Sequence, residues 1–314
     1  MPMAASESVI ANPPLYSYVA AAFGKLFSPI LSLHDAARLA NIFWMALTLL
    51  SLGLMTRELW GQGFGRQAGL IFIGSVGLIL NIHSLIPELA TLLGYTISLY
   101  AFSLYFRRPF RASMVLGFGS GIAFLSGGII PLIVIYLSSL LILIFNNWRN
   151  KRYFIFIIIS VTIAILAIGP WLYSFNYLEP ELFSSWVQTK KFSPELLFSY
   201  HLKGILWFTW PALPIAIWII IKDYKLILSQ RKLQIPIVFS IVLFITISLT
   251  GQANQTNLIP FTIPLSIIAV GGIDRLNRGT ASALNWFGIL IFGFIGFLIW
   301  LGWFAMISEI PTKV

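Results

Sequence analysis

The chain has 314 residues, of which 58% are apolar and only 10% charged, and its mean hydropathy is +0.89. A soluble globular domain carries roughly 25% charged residues, so this composition excludes an ordinary soluble domain and places the chain in the membrane class. The formal net charge of +10 hints at nucleic acid, but no basic run interleaved with aromatics forms a nucleic-acid groove, and the absence of cysteine excludes a disulfide framework, a thiol nucleophile and a thiolate metal site.

Taken in chain order, the first dozen residues, through Asn12, lack the basic n-region and apolar core of a signal peptide. Residues 13–33 carry apolar side chains at helical spacing, interrupted by Lys25 and opened by Pro13 and Pro14. They read as a juxtamembrane helix lying in the outer interface. Ten apolar segments follow within 36–306, at about 36–56, 66–84, 88–106, 112–125, 128–146, 153–174, 204–221, 235–251, 257–273 and 281–306. Strands of a barrel would alternate, and backbone groups in lipid must be satisfied within their own segment. The expected fold is therefore all-α: a polytopic transmembrane helical bundle of about ten spans, forming a single membrane domain over 1–314. The stretch from Ala112 to Phe145 would be about 50 Å long as one helix, too long for one crossing. Ser126-Gly127-Gly128 near its middle suits a tight turn between two short helices.

That division gives a consistent charge asymmetry. One side receives Arg57, Arg66, Arg107, Arg108, Arg111, Arg149, Lys151, Arg152, Lys222, Lys225, Arg231, Lys232, Arg275 and Arg278, which is 14 of the 20 basic residues, so that side should be cytoplasmic. The basic balance thus reports topology before any anionic partner. All three histidines, His34, His83 and His201, fall on the other side, with seven of the ten acids and the longest loop, about 175–203. Phe183, Trp186 and Phe192 in that loop argue for packing.

Candidate functional groups gather on this outer side. Glu88 follows Pro87 at the start of a span, with His83 five residues earlier. An acid at the edge of a span is a functional candidate, although a carboxylate also simply suits a helix N-terminus. Asn12-Pro13-Pro14-Leu15-Tyr16 offers a stiffened backbone beside a tyrosine hydroxyl, or an ordinary interfacial helix start. Lys190 and Lys191 could hold a phosphate headgroup, or form a solvated charge pair. The amides of the polar turn 252–257 could meet sugar hydroxyls, or serve only as a turn. Gly117-Phe118-Gly119-Ser120-Gly121 lies inside a span and suits close helix contact. There is no phosphate-binding loop, no dinucleotide fingerprint and no His/Asp/Glu spacing of a metal site.

Four stretches in this order resemble the C-type membrane glycosyltransferases, most nearly the group of aminoarabinose transferases and protein O-mannosyltransferases. Asn12-Pro13-Pro14-Leu15-Tyr16, with Phe23-Gly24-Lys25-Leu26-Phe27 and Ala37-Arg38-Leu39, resembles the family's juxtamembrane helix and second span. The segment from His83 to Leu93 stands where the family has an acid at the outer end of a span. The residues from Gly121 to Gly128 resemble its pair of short helices, and those from Asn257 to Leu265 its late Pro-ended span. The resemblance implies transfer of a sugar from a polyprenyl-phosphate donor to a lipid or glycan acceptor at the outer face of a bacterial inner membrane. Glu88 would be the catalytic acid-bearing residue, and Asn12, Tyr16, His83, Lys190 and Lys191 would bind substrate.

The departures are as specific. The family's first span and the loop acid usually taken as catalytic have no counterpart, because the chain starts just before the Pro-Pro motif. The Glu-Lys pair that precedes Pro-Pro in aminoarabinose transferases, and helps bind metal and phosphate, is Ala11-Asn12 here; the turn lysine is Gly127. No cofactor is identified, and a divalent metal is left open. The expectation is a glycosyltransferase-like membrane protein, whole or a fragment, with a non-catalytic lipid-binding relative or a lipid or solute transporter as alternatives.

Overall fold

The computed structural model describes residues 3–4, 7–8, 12–189, 197–250 and 253–307. Apart from a two-residue antiparallel pairing of Met3–Ala4 with Glu7–Ser8, the regular elements described are helical. Two compact units divide at 271/272.

In the first unit, α1 (Leu15–Phe27) is followed by α2 (Leu33–Trp60), whose start is fixed by Ser32: its Oγ accepts from the Asp35 N–H at 3.2 Å. α1 packs along α2, with Gly24 against the Leu33 side chain. The expected span at 66–84 is broken into α3 (Phe64–Ile73) and α4 (Val76–Asn81) at Gly74–Ser75. α5 (Glu88–Leu104) and α6 (Pro109–Gly127) form the centre, and α7 (Ile129–Leu141) turns away at Gly128. That glycine has φ 78°, the left-handed region that other residues adopt only with strain. The turn falls where Ser126-Gly127-Gly128 placed it.

Close backbone approach, rather than interlocking large side chains, joins α5 to α6. A Cβ on Gly94 would stand 2.6 Å from the Ala123 nitrogen, and one on Gly119 would stand 2.8 Å from Ile97 Cγ2. α6 is equally tight against α8 (Lys151–Leu178), where a Cβ on Gly117 would stand 2.5 Å from Ile163 Cβ. The glycine run thus serves two neighbours at once, as small residues do between helices in lipid.

α9 (Pro180–Thr189) folds back so that Trp186 packs with Phe124, Trp171 and Phe175. The segment expected to span at 204–221 is instead α10 (Phe198–Phe208) and α11 (Ala212–Lys222), bent by 102°. The two interrupted segments meet each other. The Val76 N–H donates to the Trp210 carbonyl at 3.0 Å, and Gly77 lies so close under the Phe208 ring that no side chain would fit. α12 (Arg231–Leu249) packs on α7, and a 3-10 turn at Gln255–Phe261 leads into α13 (Thr262–Ile273).

The second unit holds α14 (Arg278–Ile307), a single apolar helix of 30 residues. Among the described residues six helices are long and apolar enough to cross a membrane, or seven if the bent α10–α11 pair is one crossing. Two shorter apolar helices, at Glu88–Leu104 and Ile129–Ile144, lie among them. All ten expected segments are helical, but 66–84, 88–106, 128–146 and 204–221 are broken, short or bent.

Candidate functional site

At the end of the bundle where α5 begins, three separate pieces of chain are tied together. The Tyr16 hydroxyl on α1 donates to Asn41 Oδ1 on α2 at 2.6 Å. The Asn41 amide then donates to the Ile82 carbonyl at 2.9 Å and the Ser84 carbonyl at 3.1 Å. One buried amide therefore fixes the loop that delivers Pro87 and Glu88. Burial pushes the Tyr16 phenol up to about 12, with the Ile86 backbone opposing and the Glu88 charge adding to the rise. Tyr16 is thus a neutral donor at ordinary pH.

Glu88 is the first residue of α5. Its Oε1 accepts a hydrogen bond from the Thr256 hydroxyl at 2.9 Å, a link across 168 residues of sequence. The Thr256 N–H is held in turn at 3.1 Å by Asn254 Oδ1, which caps the 3-10 turn. The second carboxylate oxygen, Oε2, is buried and has no hydrogen-bond partner in the structure. Buried carboxylate oxygens are normally satisfied, and an exception calls for an explanation such as a bound water, an ion or a catalytic role.

A cavity of about 220 Å³ opens beside Glu88. Its polar lining comes from Asn12, Glu88, Thr91, Tyr95, Asn254 and Asn257, and Gly127, Pro131, Ile247 and Pro260 supply apolar wall. The arrangement offers one carboxylate as proton acceptor, amides that both donate and accept, and hydroxyls. Such groups suit a polyhydroxylated ligand.

The sequence candidates are distributed unequally around it. Glu88 and Asn12 line the cavity. Tyr16 stands behind it, one hydrogen bond from the loop before Glu88. His83 is exposed and outside the lining. Lys190 and Lys191 lie outside the described residues. Thr91 and Tyr95 were not singled out in the sequence, although with Glu88 they follow helical i, i+3, i+7 spacing that puts them on one face. Among the described residues no group of three or more His, Cys, Asp or Glu side chains gathers to hold a metal ion. The single carboxylate of the cavity falls short of the donor set a divalent cation usually takes.

Position 127 shows how this cavity is shaped. A Cβ there would stand 2.7 Å from Pro131 Cγ and 2.8 Å from Thr91 Oγ1. Any side chain at this turn would displace the cavity wall.

No protein-family model matches the chain, and no curated protein matches it. Among solved structures, it is similar to ArnT from Cupriavidus metallidurans bound to undecaprenyl phosphate. The TM-score is 0.72 with 16% sequence identity, over 92% of this chain and 54% of ArnT. It is similar to the apo state of the same protein with TM-score 0.72 and 17% identity, over 88% of this chain and 52% of that one. The chain thus spans about half the length of ArnT, and over 92% of its own length it has the ArnT fold.

Proposed function

We propose that the chain is a glycosyltransferase-like membrane protein, or the part of one, that takes a sugar from a polyprenyl-phosphate donor at the non-cytoplasmic face. The observation that carries this reading is that Glu88, whose Oε2 is buried and unpaired, lines a cavity of amides and hydroxyls. The match to ArnT, a protein solved with undecaprenyl phosphate bound, supplies the donor class. In the proposed step an acceptor hydroxyl attacks the anomeric carbon. The new C–O bond forms as the bond to the phosphate oxygen breaks, and the hydroxyl proton passes to Glu88. Thr256 holds Oε1, which leaves Oε2 to take that proton. The donor phosphate departs with the electron pair. Asn12, Asn254 and Asn257 orient sugar hydroxyls. The acceptor is a lipid or glycan hydroxyl, and the membrane is a bacterial inner membrane.

The test is transfer of radiolabelled sugar from polyprenyl-phosphate donors by the purified protein. Glu88→Gln keeps an acceptor for Thr256 but removes the base. Transfer should fall at least about a hundredfold, with donor binding retained. Transfer unchanged by that substitution would remove Glu88 from the mechanism. A second reading, a relative that binds the donor lipid without transferring, is favoured by position 127, where a glycine stands at the family's turn lysine and packing against Pro131 and Thr91 crowds any added side chain. It predicts donor binding with no transfer in the wild-type chain.

A further inference from the structure

The opposite end of the first unit, where α5 finishes and α8 and α12 begin, is shaped by cations rather than by acids. One cavity of about 510 Å³ is lined by Arg107, Arg231 and Lys232 against the single carboxylate of Glu58. A second, of about 620 Å³, is lined by Arg107, Lys151 and Arg152 with no carboxylate. Arg107 and Phe106 belong to both, so the two form one basic trough.

Its groups are held in place. Arg107 Nη1 lies 3.2 Å from Glu58 Oε2, the Arg231 guanidinium lies 4.1 Å above the Phe106 ring, and the Lys232 ammonium 4.2 Å above Trp60. Stacking on the Phe106 ring orients the Arg231 guanidinium without neutralising it. Beneath, Tyr105 and Trp148 stack on each other and Tyr153 packs edge to face against both, and the Tyr105 hydroxyl donates to Asn150 Oδ1 at 2.7 Å. Gln230 lines the trough, and its Oε1 is buried and has no hydrogen-bond partner in the structure. Exposed Phe110, Ile144 and Phe154 flank the same end.

We infer that this trough is a binding site for an anionic phospholipid with a hydroxylated headgroup. The phosphodiester lies among Arg107, Arg231 and Lys151, a headgroup hydroxyl donates to Gln230, and the acyl chains run along the exposed apolar side chains. Charge complementarity selects the occupant. Spans end here, so the trough lies at the level of lipid phosphates, where basic pockets between helices take anionic headgroups. This site is independent of the cavity at Glu88, which lies at the other end of α5.

The experiment reconstitutes the full chain in nanodiscs of phosphatidylcholine with a minority of phosphatidylglycerol, extracts it gently, and counts retained lipids by native mass spectrometry. Wild-type protein should retain phosphatidylglycerol over phosphatidylcholine. The exposed substitutions Lys151→Gln, Arg152→Gln and Arg231→Gln should lower that preference about fivefold per cation, with unchanged elution and helix content. Equal retention of the two lipids by the wild type, or full preference in the triple variant, would overturn the site. Displacement of phosphatidylglycerol by equimolar inorganic phosphate would reassign it to a free anion and overturn the lipid.

Discussion

Gly94→Ala adds one methyl group at the tightest point of the α5–α6 contact. The new Cβ would stand 2.6 Å from the Ala123 nitrogen and 2.7 Å from its Cα and Cβ. Carbon atoms rest at about 3.5–4.0 Å, so the helices must separate by roughly 1 Å. No flexible side chain can yield, because the obstructing atoms are backbone and Cβ. α6 cannot roll away either, since its Gly117 face is already closed against Ile163 and the Ser160 carbonyl on α8. Overpacking costs about 1–3 kcal/mol, and this site should lie at the upper end. Gly53→Ala is the control: it lies inside α2 with nothing within 4 Å of the added Cβ. There the helix preference for alanine over glycine, up to about 1 kcal/mol, is unopposed. Thermal unfolding in detergent, followed by the helical circular dichroism signal, should show Gly94→Ala melting about 5–10 °C below wild type. Gly53→Ala should melt at or above wild type. Equal melting of Gly94→Ala and wild type would refute the close-packing argument, as would equal losses in both variants.

Further outcomes follow from the hydrogen-bond chain behind the cavity. Asn41→Ala leaves the Tyr16 hydroxyl and the Ile82 and Ser84 carbonyls without their partner, a loss of roughly 2–4 kcal/mol. Donor-lipid binding should weaken with it, while Tyr16→Phe, which breaks one of the three bonds, should cost about 1 kcal/mol in the same melting assay. Thr256→Val removes the donor to Glu88 Oε1 and should lower sugar transfer about tenfold, with Thr256→Ser restoring it. The Tyr16 phenol, raised from 10.0 to about 12, stabilises the fold fully below pH 10 and loses that contribution as pH rises toward about 12. The alkaline fall in melting temperature should therefore be shallower in Tyr16→Phe than in wild type.

The helical segments were legible because lipid demands internally satisfied backbone, and apolar runs bounded by Arg and Lys mark their ends. The turn at Gly128 was legible for a local reason, since a run too long for one crossing contained adjacent glycines. The breaks at Gly74–Ser75 and between α10 and α11 were not. Both depend on each other, through Val76, Gly77, Phe208 and Trp210, and sequence does not announce that residues so far apart share a corner. Glu88 stood out because an acid is conspicuous in an apolar context. Thr91, Tyr95 and Thr256 are small or amphipathic residues that blend into spans and turns, so only the fold singles them out. Tyr16 was conspicuous beside its prolines, but its partner Asn41 lies within an apolar segment and gave no sign of organising the loop before Glu88.

The shortness of α5 has a further consequence. Seventeen residues rise about 26 Å, against a hydrocarbon core of about 30 Å. If the trough around Arg107 lies among headgroups, as inferred above, the Glu88 carboxylate would come to rest a few ångströms below the opposite hydrocarbon boundary, and any tilt of the helix would sink it deeper. A lipid whose phosphate reaches that depth need not leave the bilayer to be handled, whereas a water-soluble molecule must descend to it. The depth of one helix end would thus sort which molecules meet the carboxylate before any side chain recognises them.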